Sequence, residues 1–272
     1  MDHFTRSGLA FPVHDSGPAD GEPVVLLHGF PQTPASYDRV VDVLDRQGLR
    51  TLVPTQRGYA ATARPPHRRD YRIAELVADV VRLISAAGAE RVHLVGHDWG
   101  GAVAWAVAGM RPDLAQSLTV LSTPHPAAMR ESLLRSSQAR KSWYMAMFQL
   151  PALPERVLSR DLARQLRSGG LPAEPAAEYA AAMAEPSALT GALNWYRGLP
   201  FSLRSKVPDI AVPTTYVWGR ADFALGAVAA RRTGAHVVAD YRFLELDAGH
   251  WLPETHPDEV ADAIIDRIQR TP

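Results

Sequence analysis

The fold is decided by one short stretch, Gly96-His97-Asp98-Trp99-Gly100-Gly101, which directly follows the apolar run Val92–Val95. A strand that ends in Gly-x-nucleophile-x-Gly and passes at once into a helix makes a very sharp turn. Glycines flank this turn because side chains there would collide with neighbouring backbone. The residue in the middle of such a turn stands exposed at the top of the sheet, and in this chain it is Asp98.

An aspartate at this position narrows the chemistry. A carboxylate with an ordinary pKa of about 3.9 is ionised at neutral pH, so it needs no base to activate it. It can displace a leaving group from a saturated carbon and form a covalent ester. Asp98 therefore indicates an enzyme that opens C–O or C–halogen bonds. An aspartate between glycines is also a common turn or helix-cap residue, so the rest of the chain has to decide.

The composition excludes several classes of function. The 272 residues can form one large core or a core with an inserted subdomain. Because 29 basic side chains balance 29 acidic ones, the net charge gives no reason to expect binding to nucleic acid or to a membrane. The absence of cysteine excludes disulfides, thiolate metal sites and a cysteine nucleophile. No motif indicates a metal ion, and we expect no cofactor.

The sequence shows no targeting segment. The N-terminal residues Met1–Arg6 are not a basic stretch followed by an apolar one, so they do not indicate a signal peptide. The longest apolar run, Gly101–Met110, is far shorter than the ~20 residues that a membrane span requires. We therefore expect a soluble cytoplasmic protein.

Strands and helices are expected to alternate through both ends of the chain. The expected strands are Leu9–His14, Pro23–Leu27, Leu49–Val53, Val92–Val95, Ser117–Leu121, Pro213–Trp218 and Tyr241–Leu246, and the expected helices are Ser36–Gln47, Arg72–Ala87, Trp99–Met110, Leu225–Thr233 and Pro257–Arg270. Apolar runs without alternation, separated by helices, predict a mostly parallel sheet covered on both faces. The stretch 125–208 reads as helical and proline-rich. The sequence thus predicts an α/β fold, an α/β-hydrolase core (1–124 and 209–272) with an inserted helical cap domain (125–208) over the ligand-binding edge of the sheet.

Two partners for Asp98 follow it in the order that this fold uses, first an acid and then a histidine. Asp222 comes after the expected strand that ends at Trp218, and His250 comes after the one that ends at Leu246. We expect His250 to take a proton from the water that attacks alkylated Asp98. Asp222 is expected to fix the imidazole tautomer and to stabilise the imidazolium.

The turn His28–Pro31 follows another expected strand, at the place where oxyanion donors arise in this fold. Its proline has no N–H to give, so we expect the backbone amides of Phe30 and Trp99 to form the oxyanion hole around Asp98. His28 has no second ligand spaced for a metal, and we interpret it as structural.

Together these residues resemble the epoxide hydrolases of the α/β-hydrolase superfamily, the branch with an aspartate nucleophile. The resemblance covers nearly the whole chain. Members of that family hold the epoxide oxygen with two cap tyrosines. The segment Ala192–Arg197 is similar to the one that carries the first tyrosine, which implies Tyr196. The segment Ser142–Gln149 is similar to the one that carries the second, which implies Tyr144.

The resemblance implies that an epoxide is opened to a vicinal diol through a hydroxyalkyl ester on Asp98. Phenols suit this reaction, because an opening epoxide develops alkoxide character and a phenol with a pKa of about 10 can donate a hydrogen bond or a proton to it. We expect the substrate pocket to be lined by Phe30, Trp99, Phe148 and Trp195. Such a pocket favours a small apolar epoxide, with water as the second substrate; a homodimer stays open.

Two other functions also stay open. Haloalkane and haloacid dehalogenases share the aspartate nucleophile. The former usually hold the halide with a side-chain N–H at the position of Phe30, and the latter hold a carboxylate with arginines where this chain has Trp99 and Ala102. A non-catalytic binding protein of the same fold is the other alternative. It predicts erosion of the catalytic residues, whereas each role has a candidate here.

Overall fold

The computed structural model describes residues 1–136, 138–203 and 205–271. The strands are β1 (His3–Arg6), β2 (Leu9–Ser16), β3 (Pro23–Leu27), β4 (Arg50–Pro54), β5 (Val92–His97), β6 (Ala115–Leu121), β7 (Thr214–Gly219) and β8 (Tyr241–Leu246). Within the described residues they form one 8-stranded sheet in the order β1-β2-β4-β3-β5-β6-β7-β8. Strands β1 and β2 pair antiparallel, and β2 is also antiparallel to β4, whereas the six strands β3 to β8 are all parallel to one another.

Helices follow most of the strands. They are α1 (Asp38–Arg46), α2 (Ile73–Ala86), α3 (Trp99–Met110), α4 (Pro126–Arg135), α5 (Gln138–Lys141), α6 (Trp143–Met147), α7 (Leu153–Ser168), α8 (Ala173–Ala182), α9 (Pro186–Gly198), α10 (Ala227–Arg232), α11 (Leu252–Thr255) and α12 (Pro257–Gln269). Helices α1 and α12 pack against each other, as do α2 and α3. Two separate apolar clusters contain these pairs, which places them on opposite faces of the sheet.

The central strands are buried along their whole length. Every residue of β5 and of β7 is buried, because helices cover both faces of the sheet at these strands. This is why the sequence shows continuous apolar runs there rather than alternation. The predicted fold class, a mostly parallel sheet flanked by helices, is confirmed. Strand β1 was not predicted; it is only four residues long and adds to the edge of the sheet beside β2.

The stretch between β6 and β7 is helical, as predicted, and its described residues contain no strand. We call residues 125–208 the helical insertion. Helix α4 packs against α10 of the core, while α7 packs against α8 and α9. Helix α7 is kinked at Asp161, whose φ of −163° and ψ of 54° are not helical.

The sheet brings the two decisive turns together. After β3 the chain moves to β4 on one side, and it then returns to β5 on the other side of β3. A crevice therefore opens between the carboxyl ends of β3 and β5, which is where open α/β sheets bind ligands. The turn His28–Pro31 follows β3, and Asp98 follows β5, so the two face each other across this crevice.

Candidate active site

Asp98 lies in a strained turn between β5 and α3. Its φ of 49° and ψ of −119° are unusual for a residue with a side chain, and such a conformation costs ~1–3 kcal/mol. Close packing holds the turn in place, because a Cβ at Gly100 would collide with the carbonyl of Leu27. The carbonyl of Asp98 accepts hydrogen bonds from the Ala102 amide (3.1 Å) and the Thr123 hydroxyl (2.7 Å). The backbone of Asp98 is thus fixed at the top of the sheet.

The carboxyl group of Asp98 is held by backbone donors. Its Oδ1 accepts a hydrogen bond from the Phe30 amide at 2.8 Å, and the Trp99 amide also hydrogen-bonds to this carboxyl group. The Phe30–Pro31 peptide bond is cis. Gly29 lies against Asp98 so closely that a side chain at this position would occupy the place of the carboxyl group. Both amides that the sequence predicted as oxyanion donors are therefore at the carboxyl group.

His250 and Asp222 form a buried pair beside Asp98. Nδ1 of His250 lies 2.9 Å from Oδ2 of Asp222, so Nδ1 donates to the carboxylate. The other oxygen of Asp222 accepts the amides of Ala224 (2.8 Å) and Leu225 (2.9 Å), which fixes the orientation of the carboxylate. Nε2 of His250 faces Asp98, with 3.7 Å between Nε2 and Oδ2. The three predicted residues thus converge.

Burial and neighbouring charges determine the protonation of His250 and Asp98. Burial by itself lowers the pKa of His250, but the charges of Asp222 and Asp98 and the hydrogen bond to Asp222 outweigh it and raise this pKa to about 9. Burial raises the pKa of Asp98, while the positive charge of His250 and the amide hydrogen bonds oppose that rise. At neutral pH the imidazole is accordingly a cation between two carboxyl groups.

Two tyrosines of the helical insertion face the same cavity as Asp98. Tyr196 belongs to α9 and Tyr144 to α6, and their ring centroids are 6.1 Å apart. Tyr196 packs edge-on against Phe30 (5.3 Å) and Trp99 (5.0 Å). Burial raises the pKa of both phenols above the ordinary value, so both keep their protons and are available as donors.

A cavity of about 320 Å³ joins these groups. Asp98, Tyr144, Tyr196 and His250 all line it. The rest of its lining is mostly apolar and comes from Phe30, Pro31, Phe148, Leu158, Leu162, Gln165, Leu166, Ser168, Gly169, Phe223, Ala224 and Trp251. The structure therefore places the carboxyl group of Asp98, the imidazole of His250 and both phenols at one mostly apolar, partly open cavity of the size of a small molecule.

Two of the four predicted pocket residues do not line this cavity. Phe30 and Phe148 line it, but Trp99 and Trp195 do not. Trp195 is buried one layer below, where its indole N–H donates to the Arg57 carbonyl at 2.6 Å. Trp99 packs between Trp195 and Tyr196, with ring centroids 5.8 and 5.0 Å away. Trp99 thus packs against the ring of Tyr196, and Trp195 packs against Trp99. The indole of Trp195 is held in this place because its buried N–H needs a hydrogen-bond partner, which the Arg57 carbonyl supplies.

The sequence interpretation missed one wall of the cavity. Leu158, Leu162 and Leu166 of α7 recur at intervals of four residues, and all three side chains line the cavity although the helix is kinked at Asp161. That periodicity was available in the sequence, but it does not show whether the face covers a cavity or a solid core. His28 is fully buried, and its Nδ1 lies 3.1 Å from the carbonyl of Gly29. Among the described residues no group of three potential ligands is arranged to hold a metal ion.

Comparison with known proteins agrees with this geometry. A family model described as alpha/beta hydrolase fold matches residues 22–257. The AB hydrolase superfamily protein YfhM of Bacillus subtilis (strain 168) is 35% identical, over 97% of this chain and 96% of its own length. Epoxide hydrolase 3 of Xenopus tropicalis is 34% identical, over 97% of this chain and 76% of its own length. The crystal structure of epoxide hydrolase A from Mycobacterium thermoresistibile superposes with a TM-score of 0.87 at 28% identity, covering 99% of this chain and 98% of that one.

The chain belongs to the α/β-hydrolase fold family, and within that superfamily to the epoxide hydrolases. This confirms the resemblance seen in the sequence. Among the described helices, none is both long enough and apolar enough to cross a bilayer.

Proposed function

We propose that this protein hydrolyses small apolar epoxides to vicinal diols through a covalent ester on Asp98. One observation carries the proposal. A carboxylate held by two backbone amides faces, in a single cavity, two protonated phenols and a histidine paired with a buried aspartate. This set supplies a nucleophile, an acid for the departing oxygen and a base for water, and these are the groups that the reaction requires.

In the first step Asp98 attacks one epoxide carbon. Oδ1 is engaged by the Phe30 amide, so Oδ2 is the oxygen free to form the new C–O bond. The electron pair of the broken C–O bond moves to the epoxide oxygen, which takes a proton from Tyr144 or Tyr196. The two phenols lower the barrier because they donate to an oxygen whose negative charge grows in the transition state.

In the second step water cleaves the ester. Ester formation removes the negative charge of Asp98, one of the charges that raise the pKa of His250, so the imidazolium gives up its Nε2 proton more readily. That proton returns to the phenolate through solvent. Neutral His250 then takes a proton from water as the water attacks Cγ of Asp98. The amides of Phe30 and Trp99 stabilise the oxyanion. When this intermediate collapses, the Cγ–Oδ2 bond breaks and the departing oxygen takes the remaining proton of the added hydroxyl. The diol leaves with Oδ2, and the carboxylate of Asp98 and the imidazolium of His250 are restored.

The cavity supports the choice of substrate class. Its volume of about 320 Å³ and its aromatic and aliphatic lining suit a small apolar epoxide. Of the residues that line it, Gln165 and Ser168 are uncharged polar residues outside the catalytic set. A charged or strongly polar epoxide would lose hydration there and would find only these two polar partners in exchange.

The test is to trap the ester. His250→Ala is incubated with styrene oxide and examined by intact-protein mass spectrometry, with Asp98→Ala as the matched control. We expect His250→Ala to gain one substrate mass on Asp98 and Asp98→Ala to gain none. An adduct on another residue, or none although the wild type forms diol, contradicts the mechanism. A parallel panel of bromoalkanes and fluoroacetate addresses the dehalogenase alternative, because halide release without diol formation would replace the proposal.

A further inference from the structure

A buried chain of hydrogen bonds runs alongside the proposed catalytic group. Its centre is Gln32, whose side chain is fully buried. Oε1 of Gln32 accepts the amide of Gly29 at 2.6 Å, and Nε2 of Gln32 donates to Oε1 of Glu254 at 2.7 Å. An amide N–H at one end and a carboxylate at the other fix which atom of the Gln32 amide is which. The direction of the chain is therefore set by its partners.

His97 extends this series of hydrogen bonds to the loop that carries His250. It is fully buried, and its Nδ1 lies 2.8 Å from Oε1 of Gln32. Its Nε2 lies 2.8 Å from the backbone carbonyl of His250, which also accepts the hydroxyl of Ser122 at 2.8 Å. Both partners of His97 are oxygens that can only accept. A neutral imidazole has a single N–H, so both hydrogen bonds form only when both ring nitrogens are protonated.

Glu254 ends the chain on the side of the helical insertion. Its Oε1 also accepts the hydroxyl of Tyr179 at 2.9 Å, and its Oε2 is buried with no hydrogen-bond partner among the described residues. Burial raises the pKa of Glu254, while the hydrogen bonds from Gln32 and Tyr179 and the positive charge of His250 oppose that rise and favour the carboxylate. The phenol of Tyr37 is the other titratable group that acts on it. The catalytic mechanism proposed above uses none of Gln32, His97 or Glu254.

We propose that Glu254 is a positioning residue for the hydrolysis of the Asp98 ester. Its carboxylate, acting through the Gln32 amide, keeps His97 doubly protonated, and His97 in turn holds the backbone carbonyl of His250 so that the imidazole stays aimed at Asp98. This inference rests on the proposed function, because it assigns a role in the second step of that reaction.

The charge of Glu254 matters because the environment opposes a cation at His97. Burial lowers the pKa of His97 well below its ordinary value, since an ion loses hydration inside the protein, and the positive charge of His250, whose ring centroid lies 5.0 Å away, lowers this pKa further. Two acceptors at 2.8 Å and a carboxylate beyond Gln32 act in the opposite direction. A carboxylate that accepts from Nε2 polarises the amide and makes its oxygen a stronger acceptor for Nδ1–H of His97. Without the negative charge we expect one of the two hydrogen bonds of His97 to be lost.

The position of these hydrogen bonds also explains why losing the charge of Glu254 should slow the second step of the reaction rather than the first. The first step needs Asp98, its backbone donors and the phenols, and His97 contacts none of their side chains through its ring nitrogens. The second step needs the Nε2 of His250 at one place relative to water and Cγ of Asp98. A displacement of a reacting group by about 1 Å is enough to lower a rate ~10²-fold, so a partial loss of anchoring has a measurable cost.

The experiment compares Glu254→Gln with wild type in rapid-quench measurements of both steps, followed by intact-protein mass spectrometry. Glutamine keeps an oxygen for Gln32 and for Tyr179, so this substitution removes the charge while both of these hydrogen bonds can still form. We expect ester formation within about twofold of wild type and ester hydrolysis slowed roughly tenfold. Asp258→Asn is the matched control, because it removes an exposed carboxylate from the neighbouring helix α12, and we expect no change in either step.

A second readout is the ¹⁵N spectrum of the histidine rings in the resting enzyme, with the His97 signals assigned from a His97→Gln variant. We expect an imidazolium at His97 in wild type and a neutral ring in Glu254→Gln. Unchanged hydrolysis in Glu254→Gln, an equal loss in both steps, or a neutral His97 in wild type would each overturn the inference. If wild type forms no ester on Asp98, the proposed function itself fails and this inference falls with it.

Discussion

Asp222→Asn is the substitution that most directly tests the role of the buried pair. The new carboxamide would be oriented by the two amides of Ala224 and Leu225, which now donate to Oδ1 of Asp222 at 2.8 and 2.9 Å. Its oxygen has to stay on those donors, so its NH₂ group has to face Nδ1 of His250. An NH₂ group cannot accept a proton from Nδ1–H. The imidazole would therefore move its proton to Nε2, the nitrogen that has to receive a proton from water.

The magnitude follows from the pKa of His250. Burial lowers this pKa, and the neighbouring charges, Asp222 first, raise it from 6.5 to about 9, which corresponds to ~3 kcal/mol. In the ester state Asp98 no longer contributes, so Asp222 is the main support of the imidazolium that forms as water attacks. Losing that support slows the step by ~10²-fold or more, and the wrong tautomer brings the total to ~10³–10⁴-fold. Ester formation needs no base and should change by less than about fivefold.

The assay follows both steps in one experiment, with rapid mixing, acid quench and intact-protein mass spectrometry. The expected signature is an ester that forms at nearly the normal rate and then persists. Asp247→Asn is the control, because Asp247 lies three residues before His250 with a side chain 91% exposed, and it should behave like wild type. Hydrolysis within tenfold of wild type in Asp222→Asn would refute the reasoning, and so would an equal loss of both steps.

Three further predictions concern pH, the phenols and the cavity wall. The folded protein raises the pKa of His250 above its unfolded value, so the resulting stability is fully present below pH 6.5 and is lost as the pH rises through about 9. Urea unfolding at pH 6 and at pH 9.5 should therefore show that the free energy of unfolding falls by up to ~3 kcal/mol. The His250→Gln variant should lack this fall. Tyr196→Phe and Tyr144→Phe should each slow ester formation by ~10²-fold, while hydrolysis of a preformed ester changes little; equal effects on both steps would contradict their role as donors to the epoxide oxygen. Leu162→Ala should destabilise the protein by ~2–5 kcal/mol, as measured by denaturation, because it removes a buried side chain. Since Leu162 lines the cavity, the same variant should also have a lower KM for a bulkier aryl epoxide relative to a small one, as measured by initial rates. An unchanged preference would show that Leu162 does not limit substrate size.

The core of the fold could be predicted from the sequence because its signals are local. The run Val92–Val95 is fully buried and ends in a glycine-flanked turn, and the strand Tyr241–Leu246 ends shortly before His250. Parallel strands share one carboxyl edge, so residues that follow different strands have to meet there. The order of Asp98, Asp222 and His250 along the chain was therefore enough to expect them at one place.

The pocket was harder to predict because its shape depends on packing between distant helices. An aromatic residue beside a tyrosine looks like a pocket residue in the sequence, yet Trp195 points one layer below the cavity, towards Arg57. The leucines of α7 look like an ordinary buried face, and only the position of that helix shows that they border open space. The contact between Gln32 and Glu254 joins residues 222 positions apart, and no local sequence pattern predicts it.

The origin of the cavity lining has a practical consequence for redesign. Asp98, Asp222 and His250, the residues to which the proposed mechanism gives the nucleophile and its base, each follow a strand of the parallel sheet. Three of the aliphatic side chains that line the cavity belong instead to α7, which is kinked at Asp161. Leu158 lies before the break, and Leu162 and Leu166 lie after it, so the two halves of this wall belong to separate helical pieces. A library confined to these three positions would alter which molecules enter while leaving the chemistry of the sheet edge intact. Under the proposed function, the range of substrates and the catalytic rate can thus be changed largely independently of each other.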